Sequence, residues 1–232
     1  MNRATLNNIL FVLVGVAGIG GMAAMLSHVG QRVDDQRTSG HLADKLSEMH
    51  QRQRLRHISL EARVDRLGLP GCLSPASLTS TASVASCLTA VDGLRALLAE
   101  RDRDTNAGDA QERALLAGLP PGPVHDEAVR SMGVTIDRMH QARDRMSAMD
   151  SANADAIQAV LQWAQKNHAA LHANGQSLLV DGRRQLDELN RLRAALGAAG
   201  QAAEAANQRE GVVVAESNRA QLALVRQFNA MY

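Results

Sequence analysis

The sequence predicts an all-α protein: an elongated bundle of long helices with a small disulfide-stapled helical and loop appendage, preceded by an N-terminal hydrophobic helix. Aromatic residues make up only 2% of the 232 residues, whereas a compact α/β enzyme uses more of them to fill its core. Helix-favouring alanine, leucine, glutamine and arginine are abundant instead. Apolar residues also recur at helical spacing in the second half of the chain.

The first element, residues 1–27, is a signal peptide or a membrane anchor. Ile9–Leu26 is almost wholly apolar, and no Asp, Glu, Lys or Arg lies between Arg3 and Arg32. A run of about 18 apolar residues lies between the core of a cleaved signal and a spanning helix of ~20 residues. Gly21-Met22-Ala23 offers a small-x-small cleavage site, so both alternatives stay open. In either case the chain is expected in the cell envelope, in the periplasm or on a pilus, or held in the inner membrane through residues 9–26.

Residues 28–68 are predicted to form the first long helix. Leu42, Leu46 and Met49 give it a thin apolar stripe, and acidic and basic residues alternate on its other faces. Gly68-Leu69-Pro70-Gly71 is expected to end this helix, because proline and glycine both break helical hydrogen bonding.

Residues 69–124 are predicted to form the appendage and a Pro/Gly hinge. Cys72 and Cys87 form a local pair, which in an exported chain indicates a disulfide. The two cysteines are 15 residues apart, and closing a loop of that length stabilises a fold by roughly 3 kcal/mol. We expect a Ser/Thr-rich loop between the cysteines, a short apolar helix at Leu88–Glu100 and a charged, turn-prone stretch at Arg101–Arg113.

Residues 125–232 are predicted to complete the bundle with long helices. Val129, Met132, Ile136 and Met139 recur at helical spacing, and the pattern continues with drift to Leu171. Gly175 and Asp181-Gly182 are candidate interruptions. A leucine-spaced helix, an alanine-rich stretch and a closing helix follow them.

No catalytic, cofactor or metal site is predicted. His168 and His172 have i, i+4 spacing, but the sequence H-A-A-L-H lacks the glutamate of the metalloprotease motif. A net charge of +1 and the scarcity of aromatics argue against nucleic-acid binding. We therefore expect a protein that is not an enzyme and that binds no small-molecule substrate.

The C-terminal third carries a resemblance to a known family. Arg184-Gln185-Leu186-Asp187-Glu188-Leu189 leads into an Ala/Gly-rich stretch that ends at Ala206-Asn207-Gln208, and Gln221-Leu222 and Arg226 follow. Residues 183–228 thus resemble the tail of the TrbJ family, the VirB-type minor pilins of conjugative and type IV secretion machines.

The resemblance implies an exported helical protein with a small inserted appendage, which assembles at a pilus tip or in a secretion stalk. Its expected partners are other secretion or pilus subunits and further copies of itself. Small side chains allow close helix–helix approach, so the sequence predicts a packing and oligomer face at Ala199, Ala203, Ala206, Leu222 and Val225.

The alternative is an inner-membrane-anchored periplasmic coiled-coil protein, such as a spanin-like phage protein or an envelope scaffold, which requires that residues 1–26 are retained. An envelope enzyme is the third class, and turnover that depends on His168 or His172 would support it.

Overall fold

The computed structural model describes residues 48–49, 51–52, 55–56, 58–118 and 123–231. The signal-or-anchor segment and most of the predicted first helix lie outside these residues, although the described residues from 48 to 65 are helical. The elements that follow are α1 (Pro75–Leu78), α2 (Thr81–Ala117), α3 (Pro123–Lys166), β1 (Leu171–Asn174), β2 (Ser177–Val180) and α4 (Arg183–Met231). Short 3₁₀ helices at Leu69–Gly71 and His168–Ala170 precede α1 and β1. The predicted all-α class is therefore confirmed, with one small hairpin added.

Contacts within the chain define two compact units. The described part of unit 1 is Ser59–Arg101 together with Arg145–Ala206. Unit 2 contains Asp102–Asp144 and the described parts of Phe11–Ile58 and Asn207–Tyr232. The helices α2, α3 and α4 each contribute residues to both units. The domain boundaries predicted from the sequence, at residues 69 and 124, remain a prediction.

The core of unit 1 is built from side chains that recur every three and four residues, the spacing typical of coiled coils. On α2 this series is Val84, Cys87, Val91, Leu94 and Leu98, and all five are buried. On α3, Ala154, Ile157, Leu161 and Ala164 follow the same spacing and are also buried. Leu189, Leu192 and Leu196 continue it on α4. Because a 3–4 repeat keeps one stripe of a helix facing its neighbours, these long helices bury a continuous apolar seam.

The predicted disulfide is confirmed: Cys72 and Cys87 are bonded, with their Cα atoms 5.6 Å apart. Both cysteines are buried in the unit 1 core beside the seam. The chain between them is not the expected loop, because it contains α1 and the start of α2. Ser74 begins α1 by accepting a hydrogen bond from the Ser77 backbone N–H at 3.2 Å, and Pro75 follows at the first helical position. The disulfide thus fastens a short helical segment to α2.

The prediction of a turn-prone stretch at Arg101–Arg113 is wrong. This stretch lies inside α2, a helix of 37 residues that also contains the predicted short helix Leu88–Glu100. The high charge of the stretch reflects ion pairing with α3, since Arg101 contacts Asp150 and Arg113 contacts Asp137. A helix that forms ion pairs with a neighbouring helix is as rich in charged residues as a turn, so composition alone does not separate the two.

The chain between α3 and α4 forms a hairpin that the sequence analysis missed. β1 and β2 pair antiparallel, with Leu171 opposite Val180 and Asn174 opposite Ser177. The connecting residues are Gly175 and Gln176; Gly175 has φ 56°, and no described non-glycine residue has a positive φ. Glycine at the first central position with positive φ is the pattern of a type II′ turn, whose twist matches that of paired strands.

Among the described residues, α2 is the one helix long and apolar enough to cross a membrane by length and composition. Its apolar stripe is the buried seam described above, and Arg95 in the same stretch contacts Asp155 of α3. Only 33% of the most apolar stretch of this helix is buried within the chain, so packing within unit 1 accounts for part of its hydropathy.

Removal of the disulfide tests its contribution to unit 1. The double variant Cys72→Ser/Cys87→Ser is expected to lose about 3 kcal/mol of unfolding free energy, because its unfolded chain regains the entropy of an open loop. Urea denaturation followed by circular dichroism measures this loss. The wild type in reductant serves as the control and should match the variant, with increased protease cleavage within residues 69–88. An unchanged urea midpoint would contradict the assignment of the bond as a stabilising staple.

Two glycines, one directly before α4 and one within it, are expected to respond in opposite directions to substitution by alanine. Gly182, directly before the helix, has φ 94°, and an added Cβ would meet the side chain of Gln185. Gly182→Ala should therefore cost roughly 1–3 kcal/mol. Gly197 lies within the helix with open space around it, so Gly197→Ala should stabilise by up to about 1 kcal/mol. Thermal unfolding of both variants measures the difference, and the same sign for both would refute this account.

Candidate functional site

The candidate site is a cluster of ionisable side chains where α2 and α3 contact each other in unit 2. Asp109 and Glu112 are three residues apart on α2, and His140 and Arg143 are three residues apart on α3. Residues at i and i+3 lie on the same face of a helix, so each helix contributes two polar groups to one interface. We call these four residues the acid cluster.

A short ion pair joins the two helices in the acid cluster. Nη1 of Arg143 donates a hydrogen bond to Oδ1 of Asp109 at 2.8 Å. The other carboxylate oxygen of Asp109, Oδ2, lies 3.5 Å from Nδ1 of His140. Nε2 of the same imidazole lies 3.6 Å from Oδ2 of Asp144. Both Asp109 and Arg143 are largely withdrawn from water, with side chains 13% and 23% exposed, so this pair is weakly screened by solvent.

Glu112 is the most deeply buried member, at 6% exposure. Its Oε1 atom has no hydrogen-bond partner among the described residues. Burial raises the pKa of Glu112 from 4.5 to about 7, and the negative charge of Asp109 adds to the rise, while Arg143 and Arg113 oppose it. This carboxyl group therefore exchanges its proton near neutral pH.

The chemistry available to the cluster is proton uptake and release. In the part of the chain that the structure describes, no group of three or more His, Cys, Asp or Glu residues is arranged to hold a metal ion. The cluster is part of a helix–helix contact, so its titration acts on packing.

Unit 1 contains a buried ion pair of simpler composition. Nη1 of Arg101 on α2 lies 2.6 Å from Oδ2 of Asp150 on α3, and the Asp150 side chain is only 2% exposed. Farther along the same two helices, Arg95 contacts Asp155, whose side chain is 69% exposed. The two pairs differ in burial and also in partners, since Arg95 also donates a hydrogen bond to Gln158 and lies 3.6 Å from Asp92.

The structure places part of the predicted packing face of α4 on the helical seam. Ala199, Ala203 and Ala206 continue the 3–4 series of Leu189, Leu192 and Leu196. Ala203 is 5% exposed, and Ala199 and Ala206 are half-buried. This stripe is therefore packed within the chain itself, and its role in self-association remains a prediction. The side chains of Leu222 and Val225 lie outside the described part of α4.

The two histidines that the sequence places four residues apart do not share a helix face. His168 lies in a 3₁₀ helix and His172 on β1. Nε2 of His172 lies 2.9 Å from Oδ2 of Asp181, and both side chains are exposed. The helical geometry assumed for this pair is therefore wrong, because the chain has left α3 before His168.

The acid cluster was missed because Arg101–Arg113 was interpreted as a turn. Once that stretch is helical, the sequence signal is visible: D-x-x-E at Asp109 and Glu112 faces H-x-x-R at His140 and Arg143. The burial of Glu112 has no such signal, since the neighbouring residues are as polar as those of an exposed helix.

Comparison with models of protein families, with curated proteins and with solved structures finds no match for this chain.

The two ion pairs of unit 1 yield a prediction. Asp150→Ala removes a buried carboxylate that pairs with the guanidinium of Arg101, so a loss of about 3–5 kcal/mol of unfolding free energy is expected. Asp155→Ala breaks an exposed pair and should cost less than about 1 kcal/mol. Urea unfolding of the two variants provides the comparison. Equal losses would show that burial does not govern these pairs.

Proposed function

We propose that this chain is a non-enzymatic structural component of a type IV secretion or conjugation apparatus, a minor pilin or an assembly subunit of the pilus tip or stalk. The observation that carries the proposal is the form of α4. All of the segment that resembles the minor-pilin tail, residues 183–228, lies in one continuous helix, Arg183–Met231. Along it, the packed stripe changes from leucine to alanine without a change of spacing.

The change from leucine to alanine has a physical consequence. A stripe of leucines fills the space between helices, whereas alanines allow two helix backbones to come closer. Small exposed residues, Ala198, Ala202 and Ala205, lie one position before the residues of the stripe and flank it on one side of the helix. A subunit in an assembly can use the stripe to pack within its own chain and the exposed flank to contact a neighbouring subunit.

The disulfide supports an envelope location for the proposed subunit. Structural disulfides persist in secreted and periplasmic proteins and are rare in a reducing cytosol. The Cys72–Cys87 bond is buried and holds the short helix α1 to α2. This agrees with the export route that the apolar segment at Ile9–Leu26 predicts.

Deletion and complementation test the proposed function. In the strain that encodes the chain, its deletion should abolish pilus assembly and conjugative transfer, and the wild-type gene should restore both. Ala203→Phe should fail to restore them, because a large side chain cannot fit the packed stripe. Ala202→Phe tests the exposed flank: restored transfer would show that this flank does not contact a neighbouring subunit. Normal pili and transfer in the deletion strain would refute the proposal.

The state of the N-terminus separates the proposal from the anchored alternative. Intact mass of the tagged full chain, taken from the envelope fraction, is expected to show loss of about 23 residues. Reduction should add about 2 Da, for the two hydrogens taken up by the disulfide. A full-length mass in the membrane fraction would favour the inner-membrane scaffold or spanin-like protein.

A further inference from the structure

The acid cluster contains more buried negative charge than its cations neutralise directly. Two carboxyl groups, Asp109 and Glu112, lie one turn apart, and the guanidinium of Arg143 is hydrogen-bonded to the first of them. Arg113, which follows Glu112, contacts Asp137 at 2.6 Å. Among the described residues, no cation forms a direct ion pair with Glu112, and its buried Oε1 atom accepts no hydrogen bond.

Ionisation of Glu112 therefore destabilises the contact between α2 and α3. A charged carboxylate with one buried oxygen that lacks a donor, as Oε1 does among the described residues, loses hydration without a compensating hydrogen bond at that atom. The charge of Asp109 adds repulsion that the interior screens poorly. A neutral Glu112 removes the repulsion and lowers the desolvation cost while keeping almost the same side-chain volume.

The described part of unit 2 has few buried apolar side chains beside Glu112: Met49, Leu116 and Ile136. The core of unit 1, by contrast, contains the cystine, Trp163 and the long seams of three helices.

We propose that unit 2 is a proton-controlled latch, in which neutral Glu112 holds α2 against α3 and its ionisation loosens that contact. The proposal is independent of the function proposed above, since it concerns only the packing of one unit.

Other charged groups of unit 2 contribute to the electrostatic environment of Glu112. Asp109 and Arg113 act from α2, and His140 and Arg143 act from α3, with Asp137 and Asp144 beside them. From the described residues before Ser59, Arg56 contacts Asp104 of α2 at 3.5 Å. The charged side chains of α4 described in unit 2 are all exposed: Arg209, Glu216 and Arg219. The imidazole of His140 lies 3.5 Å from Asp109, so the test must separate its contribution from that of Glu112.

The direction of the pH effect follows from the two states of Glu112. The closed unit holds the proton with a pKa of about 7, against an ordinary value of 4.5. The closed state therefore binds more protons than the open state between these values, and it loses stability as pH rises from about 4.5 to 7. Below pH 4.5 both states are protonated and above pH 7 both are ionised, so the effect levels off on either side.

Hydrogen exchange of the full chain measures the latch directly. Peptides from residues 105–116 and 135–144 are followed by mass spectrometry from pH 5 to pH 8, and the observed rates are corrected for intrinsic exchange. The protection factor of these peptides is expected to fall on the order of tenfold or more as pH rises, since each pKa unit is worth a factor of ten. Peptides from residues 157–164 in unit 1 should stay protected.

Two variants identify the group responsible. Glu112→Gln keeps the size of the side chain and removes its charge, so protection at 105–116 should stay high and independent of pH. Asp155→Asn removes an exposed carboxylate of unit 1 and should leave the pH dependence unchanged. If Glu112→Gln retains the wild-type pH dependence, or if His140→Gln alone abolishes it, the latch is not Glu112 and the proposal fails.

A measurement on the wild type keeps the proposal testable if Glu112→Gln does not fold. The carboxyl ¹³C signal of Glu112 should titrate with a midpoint near neutral pH, and the amide signals of α2 in unit 2 should change over the same interval. A midpoint in the ordinary range of glutamate, or amides that do not follow the carboxyl signal, would overturn the latch.

Discussion

The 3–4 repeat of modest apolar side chains is the constraint on which unit 1 depends. With 2% aromatic residues, the chain has few large side chains with which to fill a wide core. It buries area instead along stripes of Val, Leu, Ile and Ala on α2, α3 and α4. Such stripes need helices that stay regular over many turns. The length of these helices is therefore a consequence of the small side chains that pack them.

Arginine–aspartate ion pairs favour one alignment of α2 along α3. In unit 1, Arg95 contacts Asp155 and Arg101 contacts Asp150; in unit 2, Asp109 contacts Arg143 and Arg113 contacts Asp137. In each unit, later residues of α2 meet earlier residues of α3, as an antiparallel pair requires. A seam made of similar aliphatic residues specifies alignment weakly, since a shift by one heptad still buries apolar groups. Charged partners penalise such a shift, because buried charges would lose their counter-ions.

The elements that the sequence predicts are those set by local pattern. The leucine spacing after Gly182 and the cysteine pair both led to correct elements. The turn at Arg101–Arg113 was wrong because charge density, taken locally, does not distinguish a turn from a helix whose partners lie on α3. The hairpin was missed because β1 and β2 have four residues each, too few for alternation to be evident. The burial of Glu112 depends on tertiary packing, and the residues beside it give no indication of it.

The type II′ turn between β1 and β2 marks a place where the chain tolerates change. Gly175 and Gln176 are exposed and have open space around them, although the positive φ of Gly175 favours glycine at that position, so the tolerance is for insertion rather than substitution. The turn follows a strand that is hydrogen-bonded to its partner, so a few extra residues would extend the loop without moving α3 or α4. An epitope or a fluorophore-binding peptide can accordingly be inserted there, giving an internal label that leaves both ends of the protein free.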